Sequence, residues 1–247
     1  MAFNNISVNT VYTTVLSILN KEQRGYITPY EFNNLANQVQ LEVFESYFEN
    51  LNQQMRAQEN SSEYADRVKL LREKISVFET TDTITVSPTG VGDLTTLTPD
   101  LHRLGTVHLQ YGSNIPVEVQ QVTRHEFNLA RRSKIAAPDL TWPIYYLEGT
   151  NINILPANAT AVGPPAYTYE VEYIRKPATV QWAYVIGPLG QYIFDGPPNS
   201  TDFEISDVDQ TEVILKILGY CGVVIRDTEI VQLAAQAAAG QDQLEQV

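Results

Sequence analysis

At 247 residues, with 43% hydrophobic and 18% charged side chains, the chain is long enough to bury a substantial core in one large or two small domains, which excludes disorder for most of it. Sixteen basic against 29 acidic residues give a net charge of −13, which disfavours the basic footprint that nucleic-acid backbones require. The single cysteine, Cys221, excludes an internal disulfide framework and, with no Cys/His cluster, the usual structural zinc patterns.

The lone cysteine fits assembly in a reducing cytoplasm; the opening MAFNNISVNT has neither the charged lead nor the apolar segment of a signal peptide, and no run approaches the roughly 18 apolar residues of a membrane span. Residues 7–23 read as a short amphipathic helix, with Ser7 as a cap, Val11, Val15, Ile18 and Leu19 on one face, and Gly25 ending it. Residues 28–59 read as one long helix on which the rest is organised. Thr28 is the N-cap, Pro29 takes the first helical position, and Glu31 stands at capping-box spacing. Phe32, Leu35, Ala36, Val39, Val43, Tyr47, Leu51 and Met55 form a stripe that Phe44 and Phe48 widen. Such a helix is roughly 45 Å long, and the Asn, Gln and Glu on its other face suggest a strut. A further helix follows from about residue 63 to 78, with Tyr64, Val68, Leu71 and Ile75 on its stripe and Asn60 and Glu63 as a second capping pair, and it is expected to pack on the long helix as an antiparallel hairpin.

From about residue 82 the period changes to alternation. Residues 83–86 read as a strand, 104–122 as a hairpin around Gly112, Ser113 and Asn114, and 123–133 as a short helix capped by Thr123 and Glu126 and closed by Arg131, Arg132 and Lys134. Residues 142–155 form a second hairpin and 167–175 a further strand. Residues 176–206, punctuated by Pro177, Pro188, Pro197 and Pro198, read as a long ordered loop or extended arm, of the kind that usually binds or links something. Helix returns at about Asp207, capped by Ser206, with Val213, Ile214, Ile217, Leu218 and Cys221 buried. Asp227 caps a last helix that Gly240 stops.

No stretch nominates a catalytic or metal centre. His102, His108 and His125 lack ligand spacing, Gly187 to Gly190 is no phosphate loop, and Asp202, Glu204, Asp207 and Asp209 lack the glycine and terminal glutamate of a calcium loop. No cofactor, metal or catalytic residue is therefore expected, and the chain reads as a non-enzyme. The concentration of aromatics is more informative: Tyr145, Tyr146, Tyr167, Tyr169, Tyr173, Trp182, Tyr184, Tyr192 and Phe194 suit protein contacts, although sheet packing or sugar stacking would use the same residue types.

The segment WPIYYLEGTNINILPA, the strand closing in YIRKP, the Trp-x-Tyr loop, the DFE segment and the ILGYCGVVIRD helix resemble head-to-tail connector (adaptor or ring) proteins of podovirus-like and crAss-like tailed phages. The resemblance covers residues 142–240 and, more weakly, the helical N-terminal third. It implies a homo-oligomeric ring, usually a dodecamer, at the head-tail junction or in the tail of the virion. Its partners would be the portal protein and other ring or tail proteins, with DNA only as cargo and no membrane. The acidic last quarter, two basic against ten acidic residues over 181–247, would suit a channel wall, though an outer solvated face explains it equally.

The fold expected from these readings is α+β, a helical bundle of long helices with a β-rich insertion and an extended arm: 1–80 helical, 81–180 β-rich, 181–206 the arm, and 207–247 C-terminal helices and tail packing with the N-terminal bundle. Tyr184, Tyr192, Phe194 and Phe203 are the expected contacts between subunits, and Ile230, Leu233 and Leu244 the expected portal-docking residues. A receptor- or glycan-binding tail component is the alternative, and a hydrolase with two converging acids a third.

Overall fold

The computed structural model describes residues 4–21, 26–56, 62–111, 115–135, 137–157 and 167–224. These residues divide into two compact units, one within Met1–Ile75 and Pro177–Val247, the other the inserted Ser76–Lys176.

The first unit opens with a two-residue strand, β1 (Asn5–Ile6), followed by α1 (Val8–Lys21), α2 (Pro29–Arg56) and α3 (Ser62–Ser76). The first amide of α1, Val8 N–H, is capped from far along the chain by the Asp202 carboxylate at 2.8 Å. α2 starts at the Thr28–Glu31 capping box: Thr28 N–H donates to Glu31 Oε2 at 2.9 Å, and Glu31 N–H donates back to Thr28 Oγ1 at 3.3 Å. The Thr28 donors hold the Glu31 carboxyl below its usual range. The support this gives the helix is therefore present above the ordinary carboxylate range and is lost as pH falls through the lowered value. The stripe is buried from Phe32 to Phe48, but Leu51 is only half-buried and Met55 is exposed. Within 66–76 of α3 only Ile75 is buried.

The inserted unit is built from strands β2 (Glu79–Ile84), β3 (Val91–Asp93), β4 (Leu101–Tyr111), β5 (Val117–Glu118) and β6 (Gln120–Gln121), helix α4 (Arg124–Arg132), and strands β7 (Ile144–Glu148), β8 (Asn151–Leu155) and β9 (Tyr167–Arg175). They form two four-stranded sheets, ordered β2-β9-β4-β5 and β3-β8-β7-β6. β9 is central to the first sheet, and its alternation sends Tyr169, Val171 and Tyr173 into a core shared with Val107, Leu109, Ile152 and Ile154. The two buried tyrosine hydroxyls are satisfied by carbonyl oxygens, Tyr169 on Pro156 at 2.6 Å and Tyr173 on Pro99 at 2.9 Å.

Gly90 closes the turn into β3 with φ +88°, and a Cβ built there would lie 2.5 Å from the Ile154 carbonyl oxygen, to whose residue Gly90 is also hydrogen-bonded. Gly90→Ala is therefore expected to cost the inserted unit about 2 kcal/mol. Urea unfolding checks this, and an unchanged midpoint would contradict it.

The chain returns to the first unit through β10 (Tyr184–Ile186), β11 (Tyr192–Phe194) and β12 (Phe203–Ser206), then a 3₁₀ turn (Asp207–Asp209) and α5 (Gln210–Val224). β12 pairs with β1, burying Ile6, Phe203 and Ile205. α5 packs on α1 and α2 through Val213, Ile217, Leu218 and Cys221. Burial pushes the Cys221 thiol up to about 11, so it behaves as a small apolar side chain. Ser206 occupies the expected cap position, but its side chain makes no capping hydrogen bond.

The expected bundle of long helices is corrected. The fold is mixed α+β, with five helices and twelve strands among the described residues, and α2, at 28 residues, is the only helix there of more than fifteen. The arm is not a plain extension either, since it folds into β10, β11 and β12. The polar face of α2 misled because side-chain amides can satisfy an extended backbone as a sheet edge does, a role that hydrophobic periodicity does not register. The last helix expected from Asp227 and the Asn60 capping pair lie outside the described residues.

Candidate functional site: an aromatic arm

The arm is placed by a row of carboxamides on α2. Asn33 Nδ2 donates to the Trp182 carbonyl at 3.2 Å while its Oδ1 accepts from Trp182 N–H at 2.8 Å. Asn37 treats Val180 in the same way, at 3.0 and 2.8 Å. Gln40 donates to the Ala178 carbonyl at 2.7 Å and accepts from Glu204 N–H at 3.0 Å. The register follows from two periodicities. Four helical residues rise about 6 Å and two extended residues about 6.6 Å, so positions 33 and 37 meet 182 and 180 in antiparallel order.

At the end of this row Trp182, 3% exposed, forms the base of the arm. Its indole N–H donates to Asn9 Oδ1 at 3.1 Å, and its ring lies 4.2 Å from Tyr12, 5.6 Å from Phe194 and 6.0 Å from Tyr184 between centroids. Tyr184 in turn meets Tyr192 edge-on at 4.8 Å. Burial, with Tyr26 and Tyr192 nearby, raises the Tyr12 phenol above its ordinary range. Beyond this base stands the two-stranded hairpin β10–β11, registered Tyr184 to Phe194, Val185 to Ile193 and Ile186 to Tyr192. Gly190 turns its tip at φ +78°.

The hairpin exposes apolar side chains on both faces, with Val185 51%, Ile186 70%, Leu189 92% and Ile193 44% accessible. A two-stranded hairpin is marginal in water by itself, and contiguous exposed apolar surface of this kind marks a contact site. No Asp, Glu, Lys, Arg or His occurs from Pro177 to Phe194. The hairpin therefore presents contact area and carries no charged side chain.

Of the four expected subunit contacts, the fold brings Tyr184, Tyr192 and Phe194 together, the first two exposed and the third half-buried. Phe203 is fully buried in β12, so its side chain serves the interior and not a surface contact. Ile230, Leu233 and Leu244 lie outside the described residues. The remaining aromatics divide by role: Tyr145, Tyr169 and Tyr173 belong to the inserted unit's core, and Tyr146 packs on Phe127 of α4.

Three of the four acids drawable as a cation site are engaged separately, and Asp207 has only a long contact from Asn4 Nδ2 at 3.5 Å. Asp202 caps α1, Glu204 accepts from Ala178 N–H at 2.8 Å, and Asp209 is held by Tyr47 and Lys74. Among the described residues no three His, Cys, Asp or Glu side chains converge as metal ligands, and no helix is long and apolar enough to cross a membrane.

Sequence reasoning missed Asn33, Asn37, Gln40 and the Asp209 trio. Only the amide row left a trace, as Asn, Asn and Gln at i, i+4 and i+7 beside the apolar stripe. No protein-family model matches this sequence, and no match is found among the curated proteins, so function rests on the site's own chemistry and the resemblance given above.

Proposed function

We propose that this chain is a structural virion protein that assembles into a ring between the capsid portal and the tail, supporting the passage of DNA without catalysing a reaction. The observation that carries the reading is the arm, an uncharged, doubly exposed hairpin seated on a buried tryptophan. Its base is rigid and its tip lacks cover, as expected of an element that completes its packing on another chain. Ring closure needs head-to-tail contacts, which such an arm can supply. A receptor- or glycan-binding role would also expose Tyr184 and Tyr192. Most of their exposed neighbours, however, are Val185, Ile186, Leu189 and Ile193, which offer a sugar no side-chain hydrogen bonds, and the oxygen of the one exposed amide beside them, Gln191, already accepts from Leu189 N–H at 3.0 Å.

Light scattering on the purified protein, alone and mixed with its portal, tests the proposal. Assembly to roughly twelvefold the single-copy mass of 27.7 kDa is expected. The variant Ile186→Asp/Ile193→Asp is expected to stay at single-copy mass with its unfolding midpoint unchanged. A wild type that stays single-copy in both conditions would sink the proposal.

A further inference from the structure

A second uncovered surface lies in the inserted unit. Residues 124–134 hold four basic residues and one acid in a chain of net charge −13. That acid, Glu126, is turned back onto Thr123 in a capping box, its carboxylate accepting from Thr123 N–H at 2.9 Å and Thr123 Oγ1 at 2.8 Å. α4 runs back along β7: Arg124 pairs with Glu148 at the end of that strand at 3.0 Å, and Phe127 packs on Tyr146 at 4.6 Å. Continuing this course brings the last turn of α4, with Arg131 and Arg132, toward the start of β7, just after Trp142.

Leu129 of α4, Ile135 just beyond it and Trp142 just before β7 face solvent, 57%, 100% and 75% exposed, as do Arg131, Arg132 and Lys134. The presentation of Trp142 is fixed: Asp139 Oδ1 accepts from both Thr141 N–H and Trp142 N–H at 2.9 Å. Exposed Trp and Arg beside aliphatic surface have the composition of an interface hot spot.

The partner is chosen by complementarity. The arm offers an uncharged apolar hairpin followed, over residues 195–208, by Asp195, Asp202, Glu204 and Asp207 and no base, while Asp209 is buried on Lys74. The α4 surface offers apolar side chains flanked by Arg131, Arg132 and Lys134, with Asp139 the acid beside Trp142. Each surface supplies what the other lacks, and both belong to every copy.

We infer that the arm of one copy docks on the α4–Trp142 surface of the next. Val185, Ile186, Leu189 and Ile193 cover Leu129, Ile135 and Trp142, while Arg131, Arg132 and Lys134 face the acidic segment behind the hairpin. The contact is heterologous, because two different patches meet, and it propagates around a ring. It rests on the ring reading above and adds the receiving surface.

The test uses two variants that are each blind on one side, in the full chain: Ile186→Asp/Ile193→Asp removes the arm's grip, and Arg131→Glu/Arg132→Glu/Trp142→Ala removes the receiving surface. All five positions are surface ones, and unchanged thermal midpoints confirm folding. Under whichever condition the wild type assembles, alone or on the portal, each variant by itself should stay single-copy. Mixed in equal amounts without portal, the two should form a particle of twice the single-copy mass that grows no further and dissociates as salt is raised. If the α4 variant assembles like the wild type, or the mixture stays single-copy while the wild type forms rings, this pairing is overturned and the ring reading stands. If the wild type never assembles, both fall together.

Discussion

Replacing Asn33 and Asn37 together by alanine is expected to lower the stability of the first unit by about 4 kcal/mol and to free residues 177–183 from α2. Each amide makes two hydrogen bonds to the backbone of one residue, so the double change orphans both the N–H and the C=O of Val180 and of Trp182. These are partly buried groups, for which about 1 kcal/mol per lost bond is a moderate figure. Asparagine is the fitting residue because its amide offers a donor and an acceptor in one plane, matching the donor and acceptor that an extended residue presents on one side. Aspartate would keep the acceptor, lose the donor and aim a charge at a carbonyl oxygen, so Asn37→Asp should cost more than Asn37→Ala. Alanine at the exposed Asn34 should cost almost nothing. Amide hydrogen exchange at Val180 and Trp182 reads the effect directly. Protection at those two amides that survives the double substitution would refute the role of the row, whatever the global stability does.

The same row shows why part of this fold was legible in the sequence and part was not. The capping boxes at Thr28 and Thr123 are present at the expected spacing, because their donors and acceptors lie three residues apart and no distant element is needed to explain them. The hairpin of β7 and β8 is equally local, set by alternation on either side of Gly149. The amide row and the Asp202 cap join residues 138 to 194 positions apart, so no window of sequence contains both partners. The long polar helix face looked solvated because residues 178–182, which cover it, are themselves uncharged and irregular, with no period to announce them. Phe203 looked like a sibling of Tyr184 and Phe194 by composition. Only the pairing of β12 with β1 turns it inward, and β1 is two residues long, too short to signal a strand. The exposure of the arm tip was not readable either: alternation cannot tell a hairpin buried on one face from one open on both.

Asp209→Ala is expected to cost about 3 kcal/mol, the largest loss from any single side chain considered, and to loosen α3 before the rest of its unit. Asp209 is 9% exposed and stands at the entry to α5. Its Oδ2 accepts from the Tyr47 hydroxyl of α2 at 2.6 Å and its Oδ1 from Lys74 Nζ of α3 at 2.9 Å, while Lys74 also lies 5.0 Å above the Tyr47 ring. Three elements distant in sequence thus meet on one carboxylate. Removing it takes away the one carboxylate on which the Lys74 ammonium and the Tyr47 hydroxyl converge, a loss that commonly costs 3–5 kcal/mol in a buried pair; the lower value applies because the Lys74 side chain is 24% exposed and water can partly replace the lost partner. Asp209→Asn keeps an acceptor for Tyr47 but gives up the charge and sets an amide N–H against Lys74, so it should fall between wild type and alanine, at about 2 kcal/mol. A double-mutant cycle with Lys74→Met isolates the pair and should return a coupling well above the few tenths expected of independent sites. Within 66–76 Ile75 alone is buried, so the Lys74–Asp209 contact is a main tether of that stretch of α3. Hydrogen exchange in the Asp209→Ala protein should therefore rise in α3 while α1, with Val8, Val11, Val15 and Leu19 buried, keeps its protection. Equal loss in both helices would mean that Asp209 supports the unit as a whole and does not tether α3 in particular.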